Sequence, residues 1–173
     1  MNIFVLDLNP RKAAEYHMDV HVVKMTVESL QMLSTAARYF NVPSSSGLYE
    51  SSYENHLCNL WLRESFSNIL WLYDLFLSLL EEYTFRYKKI IKCSQLKNRL
   101  ATCLEELKEI LPDKGLTPFA QAMPEEYKHS NAVVAYRLYY VCSKSQLSRA
   151  GWKKGRNAPR WYRHPHQRYK HAA

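Results

Sequence analysis

Glycine is scarce: the chain has four in 173 residues. Few positions are therefore free to take left-handed backbone, which argues against a β-rich fold closed by tight turns and against a Gly-rich phosphate loop. Cysteine is also sparse. Cys58, Cys93, Cys103 and Cys142 lie far apart with no C-x-x-C, so they read as packed, reduced thiols of a cytoplasmic protein rather than a zinc site or a disulfide frame. No long apolar run is present. The most apolar stretch, 69–80, contains Asp74 and is too short to span a bilayer. Asp7 and Arg11 interrupt the apolar start, so neither a membrane segment nor a secretory leader is expected. Acidic residues are missing after Glu126: residues 127–173 hold eleven Lys and Arg, whereas the first 126 hold 13 basic and 16 acidic groups. The net charge of +8 thus comes from one end. Its basic residues are interleaved with Trp152, Trp161 and Tyr162, which points to nucleic acid or a nucleotide as the partner. The competing reading is a solvated tail.

What is present is apolar bulk. A hydrophobic fraction of 47%, with 13 Tyr, 6 Phe and 4 Trp, suffices for one core. A single domain over 1–173 is expected, with an N-terminal arm (1–10) and a basic aromatic segment (148–173). The fold class is all-α: a compact bundle of about three main helices plus a shorter one. The first helix follows Asn9-Pro10, a cap and a first-turn proline, and runs to about residue 39 with a bend near Ser34-Thr35. A polar, Ser-rich loop spans 41–54 and is longer than most helix connections. Helices are then expected over 55–89, 94–111 and 131–147.

Two polar seams interrupt otherwise apolar helices. At about 100° per residue, His17, His21, Lys24, Glu28, Gln31 and Thr35 share one stripe of the first helix. Buried charge is costly unless paired or used, so this stripe is the candidate site. His17 and His21, at i and i+4, have the spacing for one shared metal ion, with Glu28 or His56 as a third ligand. Lys24 on the same stripe would repel a cation, and no metal or other cofactor is expected. A structural hydrogen-bonded pair, or acid/base duty, are the other roles for the two histidines. Lys24, flanked by Val23, Met25 and Val27 on a buried helix, is a candidate amine nucleophile, with Glu28 one turn away as acid/base partner. A plain Lys24–Glu28 ion pair is the bland alternative. On the next helix His56, Arg63, Ser67 and Asp74 share a stripe, with Glu64 and Asn68 at its edge. Arg63 suits bidentate contact to a phosphate, or else a bridge to Asp74 or Glu64. Trp152 and Trp161 offer faces for base stacking, or plug the end of the bundle.

The order of these features resembles the phage pyrimidine dimer DNA glycosylase family, the endonuclease V type. The matching pieces are AAEYHMDV at 13–20, NHLCNLWLRESFSNILWLYDLFLSLLEEY at 55–83, MPEEYK at 123–128 and APRWYRH at 158–164. The motif HxDxHVVKM at 17–25 is also similar to that of a group of small phage proteins. The resemblance implies a small all-α enzyme in which an α-amine attacks C1′ of a damaged nucleotide. A first-helix glutamate assists, and a base is flipped from the duplex. Counted from His17, the glutamate position falls at Lys24. Asn2 is too large for efficient removal of Met1, so a free N-terminal amine mechanism is not expected. Lys24 then forms the Schiff base with Glu28 as acid/base, or the scaffold serves another substrate. The expected site joins Lys24, Glu28, His17 and His21 to the substrate-binding groups His56, Arg63, Asn68, Trp152, Lys153, Arg160 and Trp161. The alternatives are a non-enzymatic nucleic-acid-binding or host-interaction protein, and a metal-dependent enzyme using His17 and His21.

Overall fold

Each of the two long helices predicted from periodicity is broken in two. The computed structural model describes residues 1–162, and these form six α-helices joined by turns and short 3-10 segments, with no strand. Helix α1 is Pro10–Tyr16, α2 is Asp19–Tyr39, α3 is Leu57–Leu62, α4 is Phe66–Tyr87, α5 is Lys97–Ile110 and α6 is Ala132–Cys142. The all-α class holds. None of these helices is long and apolar enough to cross a membrane.

The first break falls at His17-Met18, where both residues are extended, and not at Ser34-Thr35. The cause is Arg86 of α4. It donates to the Glu15 carbonyl at 2.9 Å and to the His17 carbonyl at 2.7 Å, capping the end of α1. It also pairs with Asp19 at 3.1 Å and with Glu82 at 2.8 Å, its own side chain fully buried. Asp19 in turn takes the Lys153 N–H at 2.7 Å, and its own N–H donates to the Gly151 carbonyl at 3.0 Å. Arg156 closes the network on Glu82. Burial pushes the Glu82 carboxyl up, but the bonds from Arg156 and Arg86 outweigh it and hold the group below the ordinary glutamate range.

The second break, between α3 and α4, is made by Asn68. Its amide nitrogen donates to the Trp61 carbonyl at 2.7 Å, inside the core. Asp113 then gathers Ser65, Ser67 and Gly115 around the start of α4. The Ser67 hydroxyl and these other donors hold the Asp113 carboxyl below its usual range. This break separates the second seam: His56 caps α3 through its ring nitrogen, whereas Ser67 and Asp74 belong to α4. Arg63 bridges neither Asp74 nor Glu64; it donates to the Glu54 carbonyl at 2.8 Å and lies over the Tyr39 ring at 4.0 Å. The later helices are shorter than expected. Asn131 caps α6 by accepting the Val134 N–H, and a 3-10 turn replaces its last residues.

The core lies between α2 and α4. The N-terminal arm threads into it: Ile3, Phe4, Val5 and Leu6 are 0 to 3% exposed. The arm has no sheet to join, so side chains meet its backbone. Trp71 donates to the Leu8 carbonyl and Arg137 to the Leu6 carbonyl. The C-terminal tryptophans take the packing role: Trp152 lies against Tyr162, and Trp161 against Tyr16 and the Arg137 guanidinium. Arg163 and His164 of the APRWYRH motif lie outside the described residues.

Removing the buried guanidinium would leave the Asp19 carboxylate without its cation, Glu82 with Arg156 alone, and the Glu15 and His17 carbonyls uncapped. Arg86→Ala is expected to lower unfolding stability by about 3–5 kcal/mol, read by urea denaturation; a loss under about 1 kcal/mol would show that the network is not desolvated.

Candidate active site

The arm delivers an amine to a carboxylate. Glu28, on the outer half of α2, has a side chain 19% exposed. Its Oε2 accepts the Asn2 N–H at 3.1 Å. Its Oε1 lies 3.9 Å from the Met1 α-amino nitrogen and 3.5 Å from Lys24 Nζ. Two amines of different kinds therefore face one carboxylate oxygen. Asn2 is the anchor that sets this up. Its side-chain amide donates to the Ala122 carbonyl at 2.8 Å, and its side-chain oxygen takes the Ile3 N–H at 2.8 Å. Asn2 thus fixes the amine of Met1 against Glu28.

Lys24 is not buried as its apolar neighbours suggest: its side chain is 60% exposed, with Val23 and Val27 exposed beside it. The reason is geometric. The stripe from His21 to Thr35 spreads over roughly 80° at 100° per residue. One edge, His21, points into the core, while the other, Lys24 and Gln31, points out. The outer edge continues toward the 41–54 loop and pins it. Gln31 donates to the Glu50 carbonyl at 2.6 Å, Thr35 Oγ1 accepts the Ser52 N–H at 3.1 Å, and Arg38 binds the Leu48 and Tyr49 carbonyls. The loop is a wall tied to α2 along its length.

His56 stands near this cluster. Burial lowers its pKa, the positive Met1 amine lowers it further, and Glu28 raises it. The Cys58 thiol, mostly buried, is pushed up to about 12 by desolvation and stays un-ionised. Asn59 links the loop to the amine: its amide nitrogen donates to the Ser52 and Tyr53 carbonyls at 3.1 and 2.9 Å and touches Met1 Sδ at 3.5 Å. The Met1 amine, Asn2, Asn59 and Tyr53 carry no periodic signal in sequence and were not expected at the site.

His17 and His21 do not join the cluster. His17 is fully buried, with Nδ1–H donating to the Ala13 carbonyl at 2.6 Å. The Met18 N–H points at the Tyr140 oxygen, which leaves the Tyr140 hydroxyl proton for His21 Nδ1. Both rings pack on Phe4. Desolvation lowers His17 to about 4 and His21 to about 3, so both are neutral at pH 7. Among the described residues no three His, Cys, Asp or Glu side chains converge to hold a metal ion, so the pair has no third donor. Asn68 is likewise in the core, bonded to Trp61 and Thr117. Of the basic residues, Lys153 lines a groove of about 580 Å³ with Arg149, Lys154, Tyr87, Val20 and Val23. That groove borders the same outward face of α2 one turn before Lys24. Arg160 is exposed. Trp161 lines a separate groove with Arg137 and Val141.

The fold thus defines a helical protein in which a threaded arm sets an α-amine against a half-buried helix carboxylate. A family model described as pyrimidine dimer DNA glycosylase matches residues 1–95, which include Met1, Lys24, Glu28 and His56. The chain belongs to the pyrimidine dimer DNA glycosylase family. No curated protein and no solved structure matches it.

The buried imidazoles make stability depend on pH. Their folded pKa values lie below the ordinary histidine value of 6.5. On acidification from about pH 6.5 the unfolded chain binds protons that the folded chain refuses, and stability falls. The expected slope is up to about 1.4 kcal/mol per pH unit for each ring. It is read from urea midpoints between pH 7 and 5, above the main carboxylate titrations, and His21→Gln removes about one proton from it. A slope unchanged by both His17→Gln and His21→Gln would contradict their burial as neutral rings.

Proposed function

We propose that the chain is a DNA glycosylase with lyase activity that acts on a damaged pyrimidine nucleotide through an amine held at Glu28. Membership of the family supports the class of reaction. The observation that carries the reading is the convergence of the Met1 amine, the Asn2 N–H and Lys24 on one accessible carboxylate.

The neutral amine attacks C1′. The glycosidic bond breaks, and its electron pair leaves with the base, which takes up a proton. Glu28 accepts the proton that the nitrogen loses; the nitrogen pair then forms the C1′=N bond of a protonated imine as the C1′–O4′ bond breaks, and O4′ leaves with that bond's pair and takes the proton from Glu28 to become a hydroxyl. Abstraction of a C2′ proton then expels the 3′ phosphate, or water releases the sugar. Between the two amines, the α-amine of Met1 is favoured. The Asn2 anchor fixes it against Glu28, whereas the Lys24 side chain is 60% exposed. Lys24, exposed beside the basic groove, then serves phosphate contact. His17 and His21 act through the arm, as the bed on which Phe4 sits. Arg149, Lys153 and Lys154 in the groove provide backbone grip, the sequence-independent part of DNA affinity.

Borohydride trapping tests the reaction. On a duplex containing a pyrimidine dimer or an abasic site, the chain is expected to give a covalent adduct that survives Lys24→Ala and is lost when residues are added before Met1. Glu28→Gln should slow turnover by about 10²–10⁴-fold. An adduct lost in Lys24→Ala but kept after extension moves the nucleophile to Lys24; no adduct on either duplex ends the glycosylase reading. Binding separates the groove from the chemistry. Lys153→Ala with Lys154→Ala should weaken duplex binding uniformly across sequences and flatten the salt dependence by about one to two phosphate contacts, and an unchanged slope would remove the groove from the interface.

A further inference from the structure

Tyr53 combines three unusual properties at one place. It is 75% exposed, among the most exposed large hydrophobic side chains. Its backbone is left-handed, with φ 51°, a region that bulky residues avoid and that costs about 1–3 kcal/mol for a non-glycine residue. Among the described residues its ring meets no other ring and no cation. A bulky residue persists there only because its surroundings over-determine it. Ser52 before it is bonded to Thr35 through N and O. The Tyr53 carbonyl is held by the His56 N–H at 2.8 Å and by Asn59 at 2.9 Å. Asn59 is also the residue in contact with Met1 Sδ. The backbone is rigid, the ring is free, and the tether leads directly to the residue that carries the amine.

We infer that Tyr53 is a fixed stacking platform for a nucleobase beside the reacting nucleotide. The inference rests on the glycosylase reading and adds a recognition residue to it. Chemistry at C1′ requires a nucleotide drawn out of the helix, which leaves an unstacked neighbour. An aromatic face is the sequence-tolerant partner for such a base. A ring on a pinned loop loses little freedom when it is covered, so stacking is retained as affinity rather than spent on ordering. The chain neighbours of Tyr53, Ser51, Ser52 and Glu54, are polar. Arg63, at the end of α3 and held by the Glu54 carbonyl and the Tyr39 ring, stands beside the end of the loop with a guanidinium suited to a phosphate.

The test uses the full chain and a duplex bearing a tetrahydrofuran abasic analogue, with 5-iodouracil flanking or opposite it. Photo-crosslinking followed by peptide mass spectrometry is expected to map to Tyr53. Tyr53→Ala should weaken binding to this duplex about tenfold or more, and Tyr53→Phe should bind within about twofold of the parent, because the ring and not the hydroxyl stacks. Tyr53→Asn keeps a residue that tolerates the left-handed turn. It should lose affinity as Tyr53→Ala does while its thermal midpoint is maintained or raised, which separates loss of the ring from loss of fold. Crosslinks that map elsewhere, or Tyr53→Ala and Tyr53→Asn binding as tightly as the parent, overturn the platform. Failure of the parent to form a borohydride adduct on an abasic duplex overturns the glycosylase reading itself, and the platform with it.

Discussion

A buried extended peptide that has no sheet to join must find a partner for every backbone group it takes out of water. The N-terminal arm is such a peptide, and the rest of the site depends on how that constraint is met. Residues 3–6 lie in the core; the Leu6 N–H turns back on the Phe4 carbonyl, and side chains meet groups along and beside the arm: Asn2 the Ile3 N–H and the Ala122 carbonyl, Arg137 the Leu6 carbonyl, Trp71 the Leu8 carbonyl. Phe4 completes the anchorage. Its backbone turns left-handed, with φ 34°, to drive the ring against His17, His21 and Tyr140. The Asn2 N–H is met by Glu28, a charged group at the edge of solvent. Satisfying the arm therefore brings a carboxylate to the Met1 amine, so one set of bonds holds the arm and sets that contact.

The neutral histidines have their place in this arrangement. A charged imidazole beneath Phe4 would need water or a carboxylate, and either would open the floor on which the arm rests. Desolvation keeps both rings uncharged, and Tyr140 fixes His21 from α6. The Arg86 network performs a similar service on the other side of the helix break. By capping α1 and holding Asp19, it starts α2 at the point that presents Lys24 and Glu28 outward. Through Lys153 and Gly151 it also draws the basic C-terminal segment to the same end of α2.

Much of this was legible in the sequence, and the limits were physical. Apolar bulk and sparse glycine pointed to an all-α protein, and the first seam to the helix that carries Lys24 and Glu28. The pairing of Lys24 with Glu28 follows from i, i+4 spacing alone. Helix breaks did not follow, because periodicity at 3.6 residues runs straight through His17-Met18 and Glu64-Ser65 while the groups that interrupt it, Arg86 and Asn68, lie elsewhere in the chain. Burial within a polar stripe was also hidden: His21 and Lys24 are both within it, yet one is in the core and the other in solvent. Counting from His17 set Lys24 in the glutamate position, whereas the amine stands against Glu28. Only the path of the arm distinguishes the two, and that path depends on contacts such as Asn2 with Ala122, 120 residues apart.

The outward face of α2 connects the parts into one surface. The basic groove meets it at Val20 and Val23, the carboxylate follows at Glu28, and the loop wall is fastened from Gln31 to Arg38. At 1.5 Å per residue the stretch from Val20 to Thr35 measures about 22 Å, the span of about six or seven phosphates along one DNA strand. On the glycosylase reading a strand laid on this helix would meet cations first, the amine and carboxylate near the middle, and a rigid loop bearing an open aromatic ring beyond. A helix that carried the amine chemistry on a mobile loop would have to order it at each turnover. Here the arm, the loop and the helix are already bonded to one another before any ligand arrives, so binding energy need not be used to assemble them.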